Sequence, residues 1–235
     1  ASCTLGLLII FNASPPGRSS DLRWWFTSTL GGLMHPVLKE ALERSPVMPV
    51  LVIPELSMAK PLAEALASGG LTVFEITLRT ACALEAMAVM KEAVPDALIG
   101  AGTVTNPERL RDAKAFGADF VVSPGTTESL WQCSQVEQLP ILPGFSTASE
   151  AMRLMERGSL CGKFFPAEAS GGVKYLKSLA GPLPEFRVCP TGGIQADTAS
   201  NYLRCANVVC VGGSWIAPTD LLAVGDYGEI EARSR

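Results

Sequence analysis

Residues 71–78 read LTVFEITL, and the parity of that run decides how the chain folds. Side chains alternate across a strand, so Val73, Glu75, Thr77 and the following Arg79 share one side. Phe74, Ile76 and Leu78 share the other, which is wholly apolar and suits a face covered by helices. The first set carries a carboxylate and a guanidinium about 13 Å apart along the strand, at ~3.3 Å per residue. Such a face is either a structural ion pair filling an interior layer or the wall of a site. Burying charge is costly and often replaceable by apolar packing, which favours the site.

On either side of this run the chain repeats itself. Short β-rich runs occur at VMPVLVI (47–53), ALIGAGT (97–103), DFVVSP (119–124) and PILPG (140–144). Three more follow at KFFP (163–166), RVCPTGG (187–193) and VVCVGGS (208–214). Successive starts lie roughly 20 to 26 residues apart, the length of a strand plus a crossover helix. Helical spacing fills the gaps, with Met58, Leu62 and Leu66 on one face and Leu84, Met87 and Val94 on another. Ser57, Asn106 before Pro107, and Thr147 with Glu150 three residues on are suited to cap helices.

Eight β-then-α units predict an α/β protein with a (β/α)8 TIM barrel as its single domain, over residues 46–235. A doubly wound sheet would carry a glycine fingerprint after its first strand. Here that strand ends VIPELS, and GAGTVT (100–105) lacks the third glycine. Residues 1–45 read as an irregular N-terminal extension of turn-rich, aperiodic sequence. Deleting residues 1–40 is therefore expected to leave activity and melting temperature nearly unchanged.

Composition narrows the function. The chain has 235 residues, 48% hydrophobic and 18% charged, with a formal net charge of −4. That balance offers no basic surface for nucleic acid. The apolar run LGLLIIF (5–11) is far short of the ~18 residues a spanning helix needs, so no membrane partner is expected. It has the look of a secretory core, yet no Lys or Arg precedes it. Seven cysteines without a CxxC pair read as reduced core thiols of a cytoplasmic protein. The one histidine, His35, precedes the barrel, so no histidine-based zinc site is expected within it. GFSTA (144–148) lacks the second glycine of a serine nucleophile elbow.

Barrel enzymes carry their chemistry at the C-terminal ends of the strands, so polar residues there matter most. In CGKFFPAE (161–168), Lys163 and Phe165 share a face at the mouth of an apolar run. An amine among aromatics and out of water is disfavoured in its charged form, and a neutral lysine attacks carbonyls. On inward faces of the same barrel, Glu75 can shuttle protons and Arg79 can grip a carboxylate bidentately. TGGI (191–194) and GGSW (212–215) end the last two strands and lead toward helices. Glycine-exposed N–H groups there, with the hydroxyl of Ser214, suit a phosphate.

EITLRT, GAGTV, SPG, PGFST, KFFPAE, GGVK, CPTGGI and GGSW follow one another in an order that resembles the class I aldolases of 2-keto-3-deoxy-6-phosphogluconate (KDPG) and 4-hydroxy-2-oxoglutarate (KHG). The likeness runs from about Pro46 to about Tyr227. It implies a homotrimeric cytoplasmic barrel, without metal or organic cofactor, that cleaves a small phosphorylated keto acid. The products would be pyruvate and glyceraldehyde 3-phosphate, as in the Entner–Doudoroff route of carbohydrate metabolism. By the same resemblance Lys163 forms the Schiff base and Glu75 is the general acid and base. Arg79, Thr103, Phe165 and Thr191 line the pyruvate end; Gly192, Gly193 and Ser214 contact the phosphate.

Three rival functions fit parts of the pattern. The same site could act on the galactonate-derived epimer or on unphosphorylated 4-hydroxy-2-oxoglutarate. A phosphate-binding isomerase barrel would need no amine, so Lys163→Arg would leave its turnover intact. A catalytically silent binding barrel would hold ligand without turnover.

Overall fold

The computed structural model describes residues 34–235. Nine strand segments run in parallel: β1 (Val47–Leu51), β2 (Val73–Thr77), β3 (Leu98–Gly102), β4 (Phe120–Val122), β5 (Ile141–Leu142), β6 (Gly144–Phe145), β7 (Cys161–Phe164), β8 (Arg187–Pro190) and β9 (Val211–Gly213). β5 and β6 are one stave interrupted at Pro143, which has no N–H for the ladder. The order β5-β4-β3-β2-β1-β9 continues through β6-β7-β8, and single bridges Val188↔Val208 and Thr191↔Gly212 close the ring. The eight-stave (β/α)8 barrel read from the sequence is the fold.

The parity of β2 holds. Phe74 and Ile76 belong to the apolar layer between barrel and helices, together with Leu62 and Leu66 of α2 (Ala59–Ser68) and Met87 of α3 (Ala83–Ala93). Val73 faces the other way, into an interior cluster with Met48, Phe120, Val122, Leu142, Cys161, Cys189 and Cys210. Phe120 fits there because residue 100 is glycine: a Cβ at Gly100 would lie 2.8 Å from the ring's Cδ2 and closer still to its edge.

Two of the expected caps are made. Asn106 accepts from the Arg109 N–H at the start of α4 (Pro107–Ala115). Thr147 and Glu150 form a reciprocal capping box on α6 (Ala148–Glu156). Ser57 does not cap. It lies inside a 3-10 turn, Leu56–Met58, that runs straight into α2, so Met58 takes the cap position without a side-chain bond.

The stretch before β1 also differs from expectation. PVLKEALE forms a helix, α1 (Pro36–Glu43), whose N-terminus is capped by His35 Nδ1 accepting from the Val37 N–H. Its Leu38, Ala41 and Leu42 are buried in the same cluster as Met48 and Val73, at the N-terminal end of the strands. The helix covers the floor of the barrel, so a deletion through residue 40 would uncover apolar surface. The rest of the predicted extension, residues 1–33, lies outside the described residues. At the other end α10 (Tyr227–Ser234) lies along α2, burying Ile230 in the helix–barrel layer. Arg233 fastens it by donating to the Trp215 carbonyl.

Candidate active site

β2 and β7 stand apart in the ring but face one another across its interior. Lys163 Nζ donates to both oxygens of Glu75, at 2.9 Å to Oε1 and 3.2 Å to Oε2. Their side chains are 6% and 2% exposed, so the pair is shielded from water. In sequence they are 88 residues apart, and only closure of the barrel joins them. The ring of Phe165 lies with its centroid 5.4 Å from Nζ, within cation–π range. Lysine and phenylalanine therefore share a face as their parity required.

Glycines make room for this pair. A Cβ at Gly102 would stand 2.7 Å from Glu75 Cγ and overlap Oε1. At the end of β8, Thr191 is buried, and a Cβ at Gly212 would lie 2.9 Å from its Cγ2. Below, Cys210 Sγ donates to Cys189 Sγ at 3.4 Å, beside the buried Cys161. Burial pushes the Cys161 thiol up to about 12, and the Cys189 bond, with burial, raises Cys210 as well. The floor of the site is thus a layer of buried thiols.

Arg79 is not on the inward strand face. β2 ends at Thr77, and Arg79 is exposed in the turn that follows, where its N–H donates to the Thr77 carbonyl. From there its Nε donates to Thr103 Oγ1 at 3.1 Å. Thr103, just past β3, has φ of +60°, a left-handed backbone that a β-branched residue rarely adopts. The two expected carboxylate-binding residues are thereby side by side.

The glycine pairs stop short of the helices they lead toward. Gly192 and Gly193 have φ of +104° and +81° and lie ahead of Gln195, the cap of α8 (Ala196–Leu203). Ser214 is exposed after β9, while the next helix, α9 (Thr219–Val224), starts five residues further on. Neither pair sits at a helix terminus. What the first pair does present is backbone, turned by two consecutive left-handed glycines. The loop after β7 fixes that turn, since Ala167 N–H donates to the Thr191 carbonyl and Glu168 N–H to that of Gly192. Glu168 is in turn held by the Tyr202 hydroxyl, whose ionisation is pushed up by burial and by that carboxylate.

Three supporting roles escaped the sequence reading. Gly102 was inside GAGT, but its steric role needs the position of Glu75. Thr77 Oγ1 donates to the Leu51 carbonyl at 2.8 Å and locks the end of β2 to β1. Tyr202 is one of many aromatic residues until α8 brings it to Glu168. Parity had put Thr77 on the inward face without its bond, and no spacing signal marks Tyr202.

An eight-stave parallel barrel with a buried lysine–carboxylate pair in its interior is equipped for Schiff-base chemistry. The chain belongs to the KDPG and KHG aldolase family, whose model matches residues 38–233. It is 50% identical over 197 residues to the 2-dehydro-3-deoxy-phosphogluconate aldolase of Dickeya dadantii, covering 84% of this chain and 92% of that one. It is 47% identical over 194 residues to the KHG/KDPG aldolase of Escherichia coli K12, covering 83% and 91%. Among solved structures, it resembles the KDPG aldolase of Legionella pneumophila holding pyruvate as a covalent carbinolamine. That match has a TM-score of 0.81 and 44% identity, over 83% of this chain and 94% of the other. It also resembles the Zymomonas mobilis enzyme with 3-phosphoglycerate, at a TM-score of 0.80 and 45% identity, over 86% and 94%.

Proposed function

We propose that this chain is a class I aldolase that cleaves 2-dehydro-3-deoxy-6-phosphogluconate to pyruvate and glyceraldehyde 3-phosphate. The observation that carries the reading is the buried Lys163 amine, 2.9 Å from the Glu75 carboxylate. Relatives named for this reaction, one solved with covalently held pyruvate, support it.

The geometry suggests an order of events. Glu75 accepts a proton from Lys163, and the free amine adds to the C2 carbonyl of the substrate. Glu75 returns the proton to the carbinolamine oxygen, and water leaves to give a protonated imine. That imine draws electrons from the C3–C4 bond as the C4 hydroxyl loses its proton to Glu75. The bond breaks, the aldehyde departs, and an enamine of pyruvate remains on Lys163. Protonation at C3 and addition of water then free pyruvate and the amine. Arg79 and Thr103 would hold the carboxylate throughout, with Phe165 and Thr191 against the keto acid. The N–H groups of Gly192 and Gly193, with Ser214, would receive the phosphate.

A coupled assay that reduces pyruvate to lactate tests the reading. Turnover of 2-dehydro-3-deoxy-6-phosphogluconate that vanishes in Lys163→Met is expected; unchanged turnover in that variant would refute the amine mechanism. Unphosphorylated 4-hydroxy-2-oxoglutarate is a second substrate, suggested by the double name of the E. coli relative. A homotrimer in the cytoplasm is the assembly and compartment that the family resemblance favours. Light scattering on the purified chain tests the first of these.

A further inference from the structure

We infer that Arg109 is a positioning residue for the carboxylate pocket, a role that rests on reading Arg79 and Thr103 as the groups that bind the substrate carboxylate. Arg109 lies in the first turn of α4, outside the barrel wall. Its Nη1 donates at 3.0 Å to the carbonyl of Leu78 and at 3.3 Å to that of Thr103. Leu78 immediately precedes Arg79, and Thr103 is the partner of Arg79. One guanidinium therefore holds the backbone on which both binding side chains are mounted.

The arrangement closes on itself. Leu78 N–H donates to the Gly102 carbonyl, Arg79 Nε donates to Thr103 Oγ1, and Arg109 ties the two strand ends together. Thr103 needs such a tie because its left-handed backbone persists only where surrounding contacts impose it. Arg109 is itself anchored: its N–H donates to Asn106 Oδ1 at 2.9 Å, and Pro107 presets the start of the helix. Among the described residues neither Arg79 nor Arg109 forms an ion pair with a carboxylate. Two uncompensated guanidinium groups at one rim suit an anionic group between the loops. Lysine at 109 would keep the charge, but its flexible stem would not fix one nitrogen between the two carbonyls as the rigid guanidinium does.

The test compares Arg109→Met, Arg109→Lys and Leu110→Ala with the wild type. The readouts are half-saturation by pyruvate in borohydride trapping, and KM and kcat on 2-dehydro-3-deoxy-6-phosphogluconate. Removing a charged hydrogen-bond donor should raise half-saturation and KM in Arg109→Met about tenfold, with kcat within about twofold. Arg109→Lys should fall between, at about threefold, and decides the matter alone if the methionine variant does not fold. Leu110→Ala empties core on the same helix, so it should lower the melting temperature and leave half-saturation unchanged. Half-saturation within about twofold of wild type in both Arg109 variants overturns the proposal, as does an equal rise in Leu110→Ala. Arg79→Lys separates the levels. If it leaves half-saturation unchanged, the carboxylate reading itself fails and the proposal with it. If it weakens pyruvate while the Arg109 variants do not, only the positioning role falls.

Discussion

Gly102 stands against Glu75: a Cβ at residue 102 would lie 2.7 Å from the glutamate's Cγ and inside its Oε1. The carboxylate can reach Lys163 only because β3 carries no side chain at that point. Gly102→Ala should displace the carboxylate and lower kcat by about 100-fold, the contribution of one positioned acid–base group. The far-ultraviolet circular dichroism should be unchanged. An active, folded Gly102→Ala would mean that Glu75 has room to spare.

The buried pair also governs stability. Lys163→Met strands the Glu75 carboxylate without its partner, which should cost about 3 kcal/mol in urea unfolding. Lys163→Met combined with Glu75→Gln removes the charge and should recover at least half of that loss while remaining inactive. Equal stabilities for the single and double variants would show that Glu75 is not held as an anion against Lys163.

The floor helix gives a prediction opposite to that drawn from composition. Leu42 is 1% exposed among Met48, Val73 and Phe120. Leu42→Ala should cost about 3 kcal/mol, with kcat/KM nearly unchanged because the site lies at the other end of the strands. Thermal unfolding and a steady-state assay check both halves. A stable Leu42→Ala would make the packing of α1 dispensable, in line with the expectation for residues 1–40.

How much could be read in advance follows from the range of each signal. The inward face of β2 was legible because a strand repeats every second residue. The eight staves were legible because helix and strand lengths recur. α1 was written in the chain too, with Leu38, Ala41 and Leu42 at helical spacing, but the turn-rich residues before it masked one short helix. Parity also ran too far: it placed Arg79 on the wall, whereas β2 stops at Thr77. The contact of Lys163 with Glu75 spans 88 residues, so its chemistry could be inferred and its geometry could not. Arg109 carries no motif at all, and its meaning depends on where two strands end.

Thiols set the alkaline limit. Burial raises Cys161 from an ordinary 9.0 to about 12, so above pH 9 the unfolded chain releases a proton that the folded chain keeps. Stability due to this group is therefore complete below pH 9 and is lost as pH rises toward 12. The stability difference between wild type and Cys161→Ala should narrow by roughly 1 kcal/mol per pH unit above about pH 9.5. Urea unfolding at several pH values measures it. A constant difference would place the Cys161 thiol in water.

The most direct measurement is to incubate the protein with pyruvate, reduce with borohydride and map the peptides by mass spectrometry. The account predicts a reduced pyruvyl adduct on Lys163, absent in Lys163→Met and slowed in Gly102→Ala. A folded protein that yields no adduct, or carries it on another lysine, would contradict the central claim.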